Sequence, residues 1–140
     1  MHPICQRIMR LLPCLLAALA FAPAARAAGP VADPWANARV VTEVMVDNSF
    51  EPDHLTFHSG QPYALHLENH GKEMHEFTAP GFLRAATIRN LGRLANGGTD
   101  IVVQPGQSAT VFLIPGRKGQ YDLYCADHDW DGMVGSITVD

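Results

Sequence analysis

The sequence predicts an all-β sandwich, on three observations. Short runs rich in β-branched and aromatic residues alternate with a period of two, as half-buried strands do. Gly, Pro and Asn-rich turn signals separate them. Strands of this kind recur along nearly the whole stretch from residue 42 to the C-terminus, a density that suits two packed sheets.

Thr42 to Asp47 opens the series with β-branched residues. Asn48-Ser49 and Glu51-Pro52-Asp53 are turn chemistry, and His54 to His58 then alternates strictly. Ser59-Gly60 turns the chain into Pro62 to Glu68, where Tyr63, Leu65 and Leu67 share a face. His75 to Ala79 is a further short strand. After Pro80-Gly81 the period changes: Leu83 to Asn96 predicts a short helical insertion, with Leu83, Leu91 and Leu94 near one face and Arg89 and Arg93 spaced i,i+4. Asn96-Gly97-Gly98 ends it. Strands resume at Ile101 to Val103, Ser108 to Ile114, Gln120 to Cys125 and Val134 to Val139.

A leader precedes this domain. Residues 1–27 hold Arg7, Arg10 and Arg26 and no acid, with an apolar stretch from Leu11 to Ala25 and Ala25-Arg26-Ala27 at its end. That is the pattern of a secretory signal peptide, and a periplasmic location is expected. The stretch falls short of the roughly 20 apolar residues of a membrane span, so no span remains after cleavage. Residues 28–39, with Gly29, Pro30 and Pro34, read as a flexible N-terminal arm, and residues 40–140 as one domain. Of 140 residues, 47% are hydrophobic and 17% charged, which excludes a large multi-domain enzyme. Cleavage removes three of the 10 basic residues and none of the 14 acids, so the net charge moves from −4 to −7. A nucleic-acid binder would need a basic face instead.

Cleavage also removes Cys5 and Cys14 and leaves Cys125 alone. A single cysteine in an oxidising compartment has no internal disulfide partner, and metal ligation is the first candidate. Cys125-Ala126-Asp127-His128-Asp129-Trp130-Asp131-Gly132-Met133 offers a thiolate, an imidazole and a thioether at Cys-x2-His-x4-Met spacing. This soft donor set suits copper; zinc rarely takes Met. A type 1 copper site needs a second histidine, and His75 stands at the start of a strand. Three other readings compete. A buried structural cysteine ignores the register of His128 and Met133. A Cys–His nucleophile lacks a third group. Asp127-x-Asp129-x-Asp131-Gly132 opens like an EF-hand loop, yet Thr138 stands where the loop needs Glu, and strands flank it.

These residues resemble the cupredoxin, or blue-copper, family, which includes plastocyanin and pseudoazurin. Phe50-Glu51-Pro52, Gly60-Gln61-Pro62, Asn69 followed by His75-Glu76-Phe77, Pro105-Gly106-Gln107, Gly119-Gln120-Tyr121 and Gly135-Ser136-Ile137 are similar in spacing to bacterial periplasmic members, from about Val40 onward. The resemblance implies a Greek-key β-sandwich that binds one copper ion. It implies His75, Cys125 and His128 as equatorial ligands and Met133 as the axial one. Glu76 stands where plastocyanin-like members often carry Asn or Ser, the 83–96 insertion is longer than a minimal connection, and Trp130 is bulky for its place.

The expected function is one-electron transfer by a monomeric carrier that is not an enzyme, with a cytochrome or a copper-handling protein as redox partner. Copper storage, delivery or resistance is the alternative. Other residues carry weaker signals. His54 with His58, and His66 with His70, share strand faces; they read as exposed histidines or as an auxiliary copper-capture site. Met74 reads as packing, and Arg84, Arg89 and Arg93 as the wet face of the insertion. Asp127, Asp129, Asp131, Glu73 and Glu76 should cluster at the metal end, either for solubility or to steer a basic partner.

Overall fold

The computed structural model describes residues 32–140; the predicted leader, 1–27, and residues 28–31 lie outside them. Ten strands form two five-stranded sheets. They are β1 (Arg39–Val46), β2 (Ser49–Glu51), β3 (His54–Phe57), β4 (Tyr63–Asn69), β5 (His75–Thr78), β6 (Ala86–Ile88), β7 (Asp100–Val103), β8 (Ser108–Pro115), β9 (Gly119–Tyr124) and β10 (Val134–Val139). One sheet runs β2-β1-β4-β8-β6 and the other β3-β10-β9-β5-β7. The pairs β1–β4 and β3–β10 are parallel and the rest antiparallel. Both sheets are therefore mixed.

Period-two alternation supplies the core. Leu55 and Phe57 of β3, Leu65 and Leu67 of β4, Val111 and Leu113 of β8, and Ile137 and Val139 of β10 are all buried. Phe57 packs edge-on against Tyr63 at 4.9 Å and stacks with Phe82 at 5.1 Å. Such aromatic burial is a dominant favourable contribution in a domain of this size. Glu43 keeps the alternation but puts an acid on the inward face of β1, fully buried and two residues from buried Met45.

Three boundaries differ from the sequence reading. Ser49–Glu51, read as a turn, pairs with β1 as β2, because Asn48 takes a left-handed φ of 69° and reverses the chain in two residues. The helical insertion predicted over 83–96 is split and begins earlier. A short helix, α1 (Pro80–Ala85), starts with Pro80 in its first turn and buries Phe82 and Leu83. Ala86-Thr87-Ile88 then pairs with β8, since Thr87 and Ile88 are better strand than helix formers. A 3-10 turn at Leu91–Arg93 follows, with Leu91 66% exposed and not on a buried face. Arg39, placed in the arm, pairs with Tyr63 as the first residue of β1. Ahead of it, Trp35 packs edge-on against Phe112 at 6.4 Å, and the Arg89 guanidinium lies 6.0 Å from the Trp35 ring.

Candidate metal centre

The order of the second sheet places β5 beside β9, where Thr78 faces Tyr124. That neighbour relation carries His75, at the head of β5, to Cys125, which follows β9. The nine residues from Cys125 to Met133 close on themselves before β10 begins. The Cys125 amide donates to the Met133 carbonyl at 3.1 Å, and the His128 amide donates to the Cys125 carbonyl at 3.1 Å. The Met133 amide donates to the His128 carbonyl at 3.1 Å. Gly132, at a φ of 93°, supplies the left-handed residue that this closure needs.

Cys125 and His75 are fully buried, and His128 is mostly covered. The potential donor atoms of His75, Cys125 and His128 all lie within 4.8 Å of one another. Cys125 Sγ is 4.0 Å from His75 Nδ1 and 3.4 Å from His128 Nδ1. Two donors roughly 2.0–2.3 Å from one ion stand about 3.5 Å apart, so the spacing fits a shared metal. Two imidazoles and a thiol are also the donor set expected of copper. Met133 is fully buried at the end of the loop. Sequence-predicted His75, Cys125 and His128 are thus brought together, and Met133 is anchored to two of them through backbone bonds.

The outer nitrogens are held as well. His75 Nε2 lies 3.3 Å from Asp47 Oδ1, and His128 Nε2 lies 2.7 Å from Glu73 Oε2. With Nε2–H donated to a carboxylate, Nδ1 keeps its lone pair, and in both rings Nδ1 is the nitrogen facing the sulfur. The Lys72 amide, at 2.9 Å, and His75 itself hold Asp47 below the usual carboxylate range. Burial pushes the Cys125 thiol up, against the lowering pull of the Glu76 amide, which donates to Sγ at 3.4 Å. The backbone contact to the sulfur is therefore made although the residue is Glu.

Glu76 does not join the acidic rim. It is buried, and its carboxyl is raised by burial, then by the nearby Asp127 and Asp100. Asp127, Asp129, Asp131 and Glu73 remain exposed. Trp130, 78% exposed, turns its indole N–H back to the Asp127 carbonyl at 2.9 Å, so the loop accommodates its bulk by leaving it outside.

Behind His75, sequence reasoning named Asn69 only as part of the resemblance and missed Asp47 and Gly71. Buried Asn69 donates to the Glu73 and Val103 carbonyls, both at 2.8 Å, and accepts from the Gly71 amide at 2.9 Å. It pins the 69–73 loop to β7. A Cβ on Gly71 would sit 2.4 Å from Asp47 Oδ1 and 2.7 Å from His75 Nε2. The signal for Asn69 was its place in the motif ahead of His75, that for Gly71 was a glycine two residues after it, and Asp47 had none.

A sequence profile of the cupredoxin-like domain matches residues 12–139. A plastocyanin from Cucumis sativus is 38% identical over 48 residues, 34% of this chain and 46% of that one. The match thus spans less than half the length of that relative. The fold is similar to a dithionite-reduced auracyanin from the photosynthetic bacterium Roseiflexus castenholzii, with a TM-score of 0.56 and 16% identity over 74% of this chain and 98% of that one. It is also similar to part of a multi-copper oxidase from Pediococcus acidilactici, with a TM-score of 0.58 and 17% identity over 81% of this chain and 29% of that one. At those identities the structural likeness is one of fold.

Proposed function

The chain belongs to the cupredoxin-like family, and from that premise we propose that it is an exported type 1 copper protein that carries single electrons. His75, Cys125 and His128 would hold the metal, with Met133 as the weak axial donor. One observation carries this reading: two imidazoles turn Nδ1 toward one buried thiol while carboxylates hold their far nitrogens.

Copper, when bound, supplies a one-electron couple. The protein's part is to hold a geometry that changes little between oxidation states. Asp47 and Glu73 keep the Nε2 protons in place, the Glu76 amide donates to the sulfur, and burial of Cys125 and His75 excludes water. The fold family favours a carrier over an enzyme. A cytochrome or copper-handling protein is the partner class, and the leader supports a periplasmic location.

Adding Cu(II) to the purified protein should produce an intense visible thiolate-to-copper band at one equivalent. Cys125→Ala should abolish it with the far-UV circular dichroism unchanged, and Met133→Gln should shift it while copper stays bound. Unchanged colour in Cys125→Ala would overturn the assignment. A colourless protein that holds only Cu(I) would point to storage or delivery instead.

A further inference from the structure

Among the described residues, the four histidines outside the metal centre fall into two different arrangements. His54 is tied down by β10, its Nδ1 2.8 Å from Ser136 Oγ and its Nε2 3.3 Å from Thr138 Oγ1. His58 pairs separately with Asp140. His66 and His70 instead converge. His66 Nε2 lies 3.3 Å from one oxygen of Glu68, and His70 Nε2 lies 2.8 Å from the other.

We propose that His66, Glu68 and His70 form a second metal site on the outer face of the first sheet, taking a divalent transition ion, Cu(II) most tightly. Alternation along β4 produces it: Leu65, Leu67 and Asn69 point inward, so His66 and Glu68 point outward, and His70 is the first residue beyond the strand. Side chains two residues apart on a strand stand roughly 7 Å apart, within reach of imidazoles on both sides of one carboxylate. Thr110, opposite His66 on β8, sets the ring: its Oγ1 is 2.9 Å from Nδ1. Thr110 can accept from Nδ1–H once Nε2 gives its lone pair to an ion, the outer-shell arrangement typical of metal-ligating histidine.

The site opens into a shallow groove floored by Asn69, Gly106, Gln107 and Ser108. The side chains of His66, Glu68 and His70 are 32%, 34% and 58% exposed, so each has room to turn toward an ion at the surface. Two imidazoles and a carboxylate are a borderline donor set, for which affinity among divalent ions peaks at Cu(II). The net charge of −4 favours cations generally. The site shares no ligand with the Cys125 centre and stands independently of the function proposed for that centre.

The test adds Cu(II) beyond the first equivalent to the full protein and follows electron paramagnetic resonance alongside the visible spectrum. A second equivalent should bind with the wide hyperfine splitting of a tetragonal nitrogen and oxygen site and add nothing to the visible band. His66→Ala/His70→Ala should lose that equivalent and keep any visible band, and Glu68→Gln should weaken it roughly tenfold or more. His54→Ala/His58→Ala should leave it intact. No second equivalent, or one that survives His66→Ala/His70→Ala, would overturn the proposal. A protein without the visible band that still binds Cu(II) through His66 and His70 would sink the type 1 reading and uphold this one.

Discussion

Gly71 shows how much of the metal centre rests on one missing methyl group. Its Cα passes so close to the Asp47–His75 pair that a Cβ would overlap both partners. Gly71→Ala should therefore push Asp47 off His75 Nε2 and free the ring to turn or change tautomer. Loss of such an outer-shell partner costs roughly 10–100-fold in metal affinity. We expect a loss of that order in a Cu(I) competition titration, with Tm changed little because the glycine lies in a surface loop. Wild-type affinity in Gly71→Ala would show that the Asp47 contact does not position the ring. His75 itself was legible from its place at a strand start. Asp47 and Gly71 were not, because nothing in a strand-end aspartate or a loop glycine says which side chain it will meet.

At the level of elements, the 69–73 loop is positioned by Asn69, one buried side chain that satisfies three backbone groups. Asn69→Ala would leave the Val103 carbonyl, in the β5–β7 edge of the second sheet, without that donor. A buried group left unsatisfied costs about 1–3 kcal/mol, and a loss of that order is expected in urea unfolding. Copper affinity should fall with it, since the same loop presents Glu73 to His128. A stable variant with unchanged affinity would locate the loop's order elsewhere. The insertion teaches a related point. Leu83, Leu91 and Leu94 repeat like a helix, yet β8 offered Thr87 and Ile88 an edge to pair with, and tertiary pairing prevailed over a marginal short-helix pattern.

For the whole molecule, two properties follow from charge. Glu43 is fully buried between the sheets with neither carboxylate oxygen hydrogen-bonded to another side chain or amide at good geometry. Burial raises its pKa from 4.5 to about 8, opposed by the Glu51 amide and assisted by the Asp53 and Glu51 carboxylates. The fold therefore favours the neutral form, and above the ordinary value the unfolded chain binds fewer protons than the folded one. Stability from this residue is complete below pH 4.5 and is lost as pH rises toward about 8, at up to about 1.4 kcal/mol per pH unit. Glu43→Gln should flatten the fall in urea midpoint across that window. Parallel curves for parent and variant would assign the pH dependence to other groups.

The exposed acids act at longer range. Asp127, Asp129, Asp131 and Glu73 lie on the segments that carry His128 and His75, so their field surrounds the metal centre. Electron exchange with a basic cytochrome should slow as added salt shortens the Debye length to ~8 Å near physiological ionic strength. Asp129→Asn should reduce that slope, whereas an acidic cytochrome should show the opposite trend. Flat salt dependence with both would leave these acids to solubility alone.

What the sequence determined by itself is local. Cys125, His128 and Met133 lie within one short loop, where backbone closure alone brings them near each other, and strand alternation is written residue by residue. His75 was added by resemblance and by its strand position. The tertiary structure decided everything that depends on which strands lie side by side. His75 meets Cys125 across 50 residues, Asp47 meets His75 across 28, and Glu73 meets His128 across 55. It also separated the tied-down His54 from the converging His66 and His70, and it turned Glu43 inward where an acid on a strand is ordinarily placed in water. The physical reason is range. Turn chemistry and side-chain period act within a few residues, whereas sheet order and register are settled by burying the whole apolar surface at once.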